Sequence, residues 1–447
     1  MNAKQRLIPI ALIIITIASV YYLVDGKASV IREYNAFLEK ARYEAKNGVI
    51  TAAAEDYEEA MRIFPSIDIM LEEGELYQQT GNYNAIQNFY QQSLLSTYPL
   101  EPATYIYGIQ NEIGHREYAE AFRIYKQFQS RELVSEEVEA LMAPIMYAFE
   151  LVGEYEDIGA FMESSSAANV KFEGHWVYID RRGNIALSDN FKEAGCYFGY
   201  APVVDGEGVA KYVDESGTLY LPAAYFEDQD PAFGTIKEFK YMMSGLVLAT
   251  NGKTWNYYSP TTNQKLFGGF AKATVIANGV GAVSLDGDKW ALIGPDGVLI
   301  TDYIYDDILT DWKDVVVRSE ALVVRQGDAY FLVDKTGNKI SGDYEDACPF
   351  IDSTFTAVKK NGKWIFVDAA GTEKDLGDFQ EARGFSNNMA AVKIDGRWGY
   401  IDTNGNVVVE PQFYEAMPVT TAGVTFVRTT SDTWSLIQFY KENYDFL

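Results

Sequence analysis

An aromatic residue recurs at one position of a repeated β-hairpin from residue 169 to the end of the chain. Successive copies of this aromatic position lie 34 to 45 residues apart. The position is occupied by Trp176, Ala210, Trp255, Trp290, Tyr330, Trp364, Trp398 and Trp434. A period of this length predicts one supersecondary unit that is stacked several times. It argues against a single catalytic core built around one unique pocket.

Two turns flank the aromatic strand of each unit. An Asn-Gly or Asp-Gly pair precedes the strand in several copies, as at Asn361-Gly362 and Asp395-Gly396, and supplies the positive φ angles of a two-residue hairpin. A D-x-x-G motif follows the strand, as at Asp368 to Gly371 and Asp402 to Gly405, and is typical of a type I turn. The intervening residues, such as RWGYID, alternate in polarity and predict a strand.

This pattern resembles the bacterial WG repeat, in which Trp-Gly follows Gly-Lys or Gly-Arg and precedes Tyr-Ile-Asp. The resemblance covers residues 169 to 447 and is strongest around Trp398, where Trp398-Gly399 matches the motif literally. The copy around Trp176 is close to it, whereas the copy around Trp255 lacks D-x-x-G. The resemblance implies an interaction repeat with no shared catalytic residues.

The repeated aromatic position is predicted to be a structural one, packed between neighbouring sheets. The structural repeat positions are Trp176, Trp255, Trp290, Tyr330, Trp364, Trp398 and Trp434. Trp312 stands outside this position and is therefore a better candidate for binding. Radial repetition around a channel protects the edges of such sheets. We predict a β-propeller of seven blades, in which the eighth hairpin completes the first blade; eight blades or an open β-solenoid are the alternatives.

Residues 30–166 change to helical periodicity. Gly48, Gly81 and Gly114 are 33 residues apart and Gly153 follows, each placed where a helix would turn into its partner. The stretch resembles tetratricopeptide repeats, which have a period of about 34 residues. That resemblance implies peptide binding along a concave face, with Tyr77 and Asn82 as candidate contacts. The fold class is thus an α+β multidomain chain with a helical-repeat segment and an all-β repeat domain over 169–447.

The first 26 residues are predicted to be a membrane anchor. Lys4 and Arg6 precede an apolar run at 7–24, which is long enough to cross about 30 Å of hydrocarbon as a transmembrane helix. The positive flank predicts a cytoplasmic N-terminus, so the bulk of a single-pass cell-membrane protein would be extracytoplasmic. Cleavage of a signal peptide, followed by secretion, is the alternative.

Charge and motifs narrow the functional classes. The net charge of −27 argues against nucleic acid as a partner, because phosphate binding needs clustered Lys and Arg. The sequence contains neither a cofactor loop nor a Cys/His metal cluster, and its two histidines, His115 and His175, have no nucleophile arranged beside them in sequence. We therefore predict no catalytic residues, no metal and no cofactor.

Two functional hypotheses follow from these observations. The first is a membrane-anchored, non-catalytic interaction scaffold that binds protein or peptide partners. The second is a propeller that binds cell-envelope polysaccharide or hydrolyses it through paired carboxylates. Carboxylates that line the channel and depart from the repeat would favour the second hypothesis. An aromatic helical groove would favour the first.

Overall fold

The computed structural model describes residues 26–161, 167–312, 314–318, 320–351 and 355–443. The chain divides into two compact units, Met1–Met146 and Tyr147–Leu447. The described part of the first unit is helical, and the second unit is built almost entirely of β-strands. The sequence had placed residues up to 166 in the helical segment, whereas the β unit already begins at Tyr147.

The helical unit consists of consecutive helices joined by short turns. They are α1 (26–46), α2 (Ile50–Ile63), α3 (Ile67–Thr80), α4 (Tyr83–Phe89, continued by a π-helical turn at Tyr90–Leu94 and by Leu95–Thr97), α5 (Pro102–His115), α6 (Tyr118–Ser130) and α7 (Glu136–Met142, followed by a 3-10 turn at Ala143–Ile145).

The predicted helix-turn glycines divide into two groups. Gly48 and Gly81 have φ angles of 74° and 64° and lie just after α1 and α3, where a left-handed residue ends a helix. The predictions for the other two are wrong. Gly114 lies within α5, whose left-handed cap is Arg116, and Gly153 lies in a β-strand.

Other glycines let the helices of this unit approach each other closely. A Cβ atom on Gly74 would lie 2.7 Å from Cε2 of Tyr107, and one on Gly108 would lie 2.6 Å from Cζ of Tyr90. The Tyr107 hydroxyl also donates a 3.0 Å hydrogen bond to the Gly74 carbonyl. Tyrosine rings therefore pack directly onto the backbone of neighbouring helices.

The β unit is a propeller of eight sheets, which we number as blades in chain order. Blade 1 contains Asp157–Ile158, Ala167–Phe172, His175–Asp180 and Ile185–Phe191; blade 2 contains Glu193–Ala194, Tyr200–Val204, Ala210–Asp214 and Leu219–Tyr220; blade 3 contains Glu238–Phe239, Val247–Thr250, Trp255–Tyr258 and Lys265–Phe270; blade 4 contains Lys272–Ala273, Gly281–Ser284 and Trp290–Ile293. Blade 5 contains Asp307–Ile308, Ala321–Gln326 and Ala329–Asp334; blade 6 contains Asp346–Ala347, Phe355–Lys360, Lys363–Asp368 and Glu373–Lys374; blade 7 contains Glu381–Ala382, Met389–Ile394, Arg397–Asp402 and Val407–Phe413; blade 8 contains Glu415–Ala416, Val424–Arg428, Trp434–Phe439 and Phe149–Tyr155.

The prediction of seven blades is wrong, because each of the eight hairpins forms its own blade. The last hairpin does not complete blade 1. It forms the centre of blade 8, and its outer strand is Phe149–Tyr155 from the start of the unit. This strand pairs antiparallel with Trp434–Phe439, placing Phe149 opposite Phe439. The two ends of the β unit thus close the ring within a single sheet.

Each repeated aromatic position lies at or next to the start of the third strand of its blade, and the D-x-x-G motif, in the copies that have it, forms the turn after that strand. In blade 7, Trp398 pairs with Lys393 across the hairpin. One carboxylate oxygen of Asp402 accepts hydrogen bonds from the backbone N–H groups of Asn404 and Asn406, at 2.8 and 2.9 Å. These contacts fix the turn that returns the chain to the fourth strand.

The glycine of the Trp-Gly pair has a steric role in blade 7. The pairing of the third and fourth strands is irregular between Trp398 and Tyr400. At this irregularity a Cβ atom on Gly399 would lie 2.4 Å from the Val409 carbonyl oxygen and 2.8 Å from the Pro411 nitrogen. Only a residue without a side chain fits against this backbone.

The predicted single-pass membrane topology is contradicted. Among the described residues, no helix combines the length and the apolar character that a membrane crossing requires. The apolar run at 7–24, to which the transmembrane helix was assigned, lies outside the described residues.

Candidate functional site

A cavity of ≈ 250 Å³ lies in the central channel of the propeller. It is enclosed by the first strands of blades 1, 2 and 3 and by the loop that follows the first strand of blade 5. Blades 1 and 5 are not neighbours in the ring, so residues of both line one cavity only around the axis, where the first strand of each blade is the innermost one. Residues lining the cavity include Gly159, Asn169, Glu193, Gly195, Cys196, Glu238, Lys240, Tyr241, Trp312 and Asp314.

Two neighbouring blades carry glycine at the same position beside the cavity. The first residue of each innermost strand and the residue two places later lie on one face of the strand. At the later position blade 3 has Lys240, whereas blades 1 and 2 have Gly159 and Gly195. At both glycines the Cβ position is filled: one on Gly159 would meet the Asn169 amide, and one on Gly195 would lie 2.7 Å from Cγ of Pro202, so the glycines let these side chains pack against the innermost strands.

Carboxylates begin nearly every innermost strand. The first residue is acidic in seven of the eight blades: Asp157, Glu193, Glu238, Asp307, Asp346, Glu381 and Glu415, with Lys272 as the exception in blade 4. Glu193 and Glu238 belong to this pattern and line the cavity. Asp314 also lines it but comes from the blade 5 loop, and is therefore the carboxylate that departs from the repeat.

The charged groups of the cavity influence one another. Desolvation raises the pKa of the Asp314 carboxyl to about 6, against the lowering effects of Lys240 and of a 3.3 Å hydrogen bond from the Val275 N–H. Burial lowers the pKa of Lys240, but the negative charges of Asp314 and Glu238 outweigh it, so that the pKa lies above its ordinary value. The Lys240 ammonium lies 3.4 Å from the Glu238 carboxylate.

A buried amide oxygen borders the same cavity. Asn169 is 4% exposed, and its side-chain nitrogen donates a 2.7 Å hydrogen bond to the Ala194 carbonyl. Its Oδ1 atom has no hydrogen-bond partner. A Cβ atom on Gly159 would fall only 1.9 Å from Oδ1, so glycine is what allows the amide to stand at this place.

Aromatic side chains connect the cavity to the surface. Trp312 lines both this cavity and a smaller one between blades 1 and 8, so it lies at the channel axis. The buried ring of Tyr241 lines the cavity, and its centroid is 6.3 Å from that of the exposed Phe198. Close by in sequence, Tyr200 and Tyr220 are exposed and form an edge-to-face pair at 5.6 Å.

Phe198, Tyr200 and Tyr220 lie on one face of the propeller. This face is formed by the loops between the first and second strands of the blades, such as 195–199 in blade 2 and 240–246 in blade 3, and we call it the loop face. The short helix Ala224–Glu227, which joins blade 2 to blade 3, lies on the opposite face because the chain direction alternates from strand to strand.

Of the three predicted binding candidates, Trp312 lies in the cavity wall. Tyr77 and Asn82 lie in the helical unit and make structural contacts there. Tyr77 stacks on Phe89 with ring centroids 4.9 Å apart, and Asn82 caps α4 by accepting a 3.3 Å hydrogen bond from the Ala85 N–H. The cavity carboxylates were missed at the sequence level, although an acidic residue followed by Ala, as in KEAG, YEDA and QEAR, recurs once in several repeats.

The structural repeat positions contact the blade cores to different degrees. Trp364, Trp398 and Trp434 are buried within them. Those that are half-buried and pack against a core cluster are Trp176, Trp255, Trp290 and Tyr330.

The histidines do not enter this site. His115 and His175 contact the backbone carbonyls of Asn111 and Glu173, at 2.8 and 3.1 Å. Within the described ranges, no three His, Cys, Asp or Glu side chains converge closely enough to hold a metal ion.

The fold and its repeated hairpins define an eight-bladed β-propeller preceded by a helical unit. The sequence model of the family described as "WG containing repeat" matches residues 330–364, 377–398 and 398–431. Residues within 330–431 therefore carry WG repeats, as the sequence predicted. The matches do not extend to the helical unit, so its tetratricopeptide character stays a prediction.

Three of the solved structures to which the chain is similar each match about two thirds of it. The computationally designed Ika8 protein is 11% identical, with a TM-score of 0.43 over 64% of this chain and 98% of that one. The WD40 β-propeller domain of Doa1 is 12% identical, with a TM-score of 0.35 over 65% and 97%. BamB from Moraxella catarrhalis is 13% identical, with a TM-score of 0.32 over 63% and 82%. No curated protein matches the chain.

Proposed function

We propose that this chain is a non-catalytic interaction scaffold that binds a protein or peptide partner on the loop face of its propeller. The observation that carries the proposal is the group of exposed aromatic side chains on the loop face, of which Phe198 packs near Tyr241 of the cavity wall. Phe198 is 36% exposed, and Tyr200 and Tyr220 are each 40% exposed. Large aromatic side chains next to a concave site are typical of the residues that dominate protein–protein binding energy.

The partner's chemistry is constrained by charge. The chain carries a net charge of −27, and the cavity beside the aromatic group contains Glu193, Glu238 and Asp314. A partner with a basic or neutral surface is therefore favoured, and nucleic acid is disfavoured. The helical unit adds a repeat surface of its own. We place the principal site on the propeller because Tyr77 and Asn82 are already engaged in contacts within the helical unit.

Site-specific photo-crosslinking tests this function. A photoreactive amino acid at Tyr200 reports on the loop face, and one at the exposed Tyr225 reports on the opposite face. We expect protein adducts at Tyr200 in intact cells and none at Tyr225. A chain that carries Phe198→Ser and Tyr220→Ser should lose these adducts while keeping its melting temperature. Equal adducts at both positions, or none at Tyr200, would contradict the proposal.

One observation favours the glycan hypothesis as a second candidate. Asp314 departs from the repeat, and burial raises its pKa to about 6 beside the more exposed Glu193 and Glu238. A carboxyl group with a raised pKa that acts together with a second carboxylate is the basis of acid–base glycoside hydrolysis. Turnover of polysaccharide by the purified chain, lost on Asp314→Asn and kept on Asp346→Asn in blade 6, would favour this function over the scaffold.

A further inference from the structure

The loop after the first strand of blade 5 is longer than its counterparts in blades 2, 3 and 4. It lies between Ile308 and Ala321, whereas the corresponding loops are residues 195–199, 240–246 and 274–280. Because each of these loops extends from an innermost strand, a longer one can reach over the channel. We call residues 309–312 and 314–318 of the blade 5 loop the strap.

The strap crosses the axis of the channel. Trp312 lines a small cavity together with Phe161 of the blade 1 loop and Met417 of the blade 8 loop. In a closed ring of eight blades, blade 1 lies opposite blade 5. A residue of the blade 5 loop therefore meets blade 1 only by spanning the channel. Trp312 and Asp314 also line the cavity of ≈ 250 Å³, so the strap covers this cavity on the side of the loop face.

The second half of the strap is anchored to the blades beside it. The side chains of residues 315–317 are buried and belong to core clusters formed with blades 3, 4 and 5. Asn278 of blade 4 donates hydrogen bonds of 3.0 and 3.4 Å from Nδ2 to the carbonyl oxygens of Val317 and Arg318. Apolar burial and these hydrogen bonds fix residues 315–318 to the rim of the channel.

The first half of the strap, which we call the tip, comprises residues 309–312 and 314 and is tied to this anchor by a buried carboxylate. Asp311 is 3% exposed. Its Oδ1 atom accepts a 3.0 Å hydrogen bond from the Val315 N–H, and its Oδ2 atom accepts one of 2.8 Å from Nε of Arg318. A buried carboxylate is costly unless its charge is paired, and the Arg318 guanidinium provides the pairing charge.

From this geometry we infer that the tip is a lid over the channel cavity, with the ion pair between Asp311 and Arg318 as its latch. In the closed state Trp312 spans the channel and shields the cavity from the loop face. Breaking the latch transfers the Asp311 charge to water and lets the tip turn away while residues 315–318 stay anchored. The inference is independent of the proposed function, because it concerns access to the channel and not the partner-binding surface.

The two free cysteines provide the readout. Cys196 lines the cavity that the tip covers. Cys348 lies in blade 6, where its Sγ donates a 3.3 Å hydrogen bond to the Ala382 carbonyl, and it reports any general loss of packing. The full chain is treated with N-ethylmaleimide, and the modification rate of each cysteine is followed by peptide mass spectrometry. Cys196 should react at least about tenfold more slowly than in its isolated peptide, because the rate follows the open population. Equal rates would overturn closure.

Variants at Arg318 test the latch. Arg318→Met should speed modification of Cys196 by about tenfold or more, because the unpaired Asp311 charge favours the open state, in which water solvates it. Arg318→Lys should stay close to the wild-type rate, since Nε and the second guanidinium nitrogen both contact Oδ2 and one ammonium can replace them. Lys339→Met, which removes a surface ion pair with Asp343 in the same blade, is the control. A wild-type rate in the Arg318→Met chain, or equal acceleration by Arg318→Lys, would overturn the latch.

Trp312→Ala decides the question if Arg318→Met disturbs the fold, which rapid modification of Cys348 would reveal. This variant keeps the ion pair and removes the ring that spans the channel. Cys196 should then react faster, whereas the rate at Cys348 and the melting temperature should not change. An unchanged Cys196 rate in the Trp312→Ala chain would overturn the inference that the tip closes the cavity.

Discussion

The hydroxyl of Tyr400 donates a 2.7 Å hydrogen bond to the backbone carbonyl of Met417 and so joins the third strand of blade 7 to blade 8. The same contact recurs between other neighbouring blades. The pairs are Tyr178 with Gly195, Tyr212 with Lys240, and Tyr257 with Thr274, at 2.8, 2.6 and 2.6 Å. In each pair the tyrosine follows the repeated aromatic position by two residues. The tyrosine of the repeat motif is thus a connection between blades.

Replacing Tyr400 with phenylalanine should lower the stability of the propeller. Tyr400 is fully buried, so the change removes one hydrogen bond and leaves the Met417 carbonyl without this donor, at a cost of about 1–3 kcal/mol. The free energy of unfolding in urea measures the effect. Tyr225→Phe, at an exposed position, is the control. An unchanged midpoint for Tyr400→Phe would show that the contact does not hold the blades together.

The glycine of the Trp-Gly pair should not tolerate even one methyl group. Gly399→Ala places a Cβ atom 2.4 Å from the Val409 carbonyl, and backbone cannot move aside as a side chain can. We expect a loss of about 1–3 kcal/mol from this overpacking. Gly342→Ala, where a Cβ atom would meet nothing within 4 Å, should leave the melting temperature nearly unchanged. Similar melting temperatures for the two variants would contradict the steric role.

Closure of the ring is tested by two N-terminal truncations. A chain that starts at Tyr147 keeps the strand Phe149–Tyr155, whereas a chain that starts at Asp157 loses it and exposes the edge of Trp434–Phe439. The Phe149 ring packs against Phe439 with centroids 6.0 Å apart. Burial of the apolar side chains on this strand contributes roughly 3 kcal/mol or more. The shorter chain should melt earlier and aggregate, as measured by thermal unfolding with light scattering. Equal melting of the two chains would argue against closure in blade 8.

The helical unit should respond to pH through Glu73. Burial, and secondly the charge of Glu58, raise the pKa of the Glu73 carboxyl from 4.5 to about 7. Between these values the folded state holds a proton that the unfolded state has lost, so stability falls as the pH rises and is constant above about 7.

Glu73→Gln should remove this dependence and stabilise α3 at alkaline pH by about 1–3 kcal/mol. Amide hydrogen exchange of α3, corrected for the intrinsic exchange rate, measures the local free energy at each pH. Glu75→Gln, at an exposed position of the same helix, is the control. If the protection of α3 still declines from acid to neutral pH in the Glu73→Gln chain, a group other than Glu73 causes the pH dependence.

Most of the propeller could be predicted from local sequence. The strand that was not predicted pairs with a segment at the other end of the β unit. The hairpins and their D-x-x-G turns were predictable because each is formed within one repeat, as the Asp402 contacts show. The closing strand Phe149–Tyr155 was not. It has no turn of its own, it lies before the first aromatic position, and its pairing with Trp434–Phe439 joins opposite ends of the unit. Without that strand the extra hairpin was assigned to blade 1.

The candidate site was only partly predictable for a similar reason. Trp312 stood out because it departs from the repeat. No local sequence pattern singles out Gly159, Gly195 or Glu193. They line one cavity only because adjacent blades place them around the same channel. Asp314 reaches the same cavity from blade 5, which no local pattern indicates.

The most direct test of the scaffold function is hydrogen exchange of the full chain with and without the partner that crosslinks at Tyr200. We expect the partner to slow exchange in the loop-face segments 195–200, 240–246 and 314–318. Segments on the opposite face, such as 205–209 and 221–237, should exchange at unchanged rates. Slowed exchange confined to the opposite face, or no difference in any of these segments, would contradict binding on the loop face.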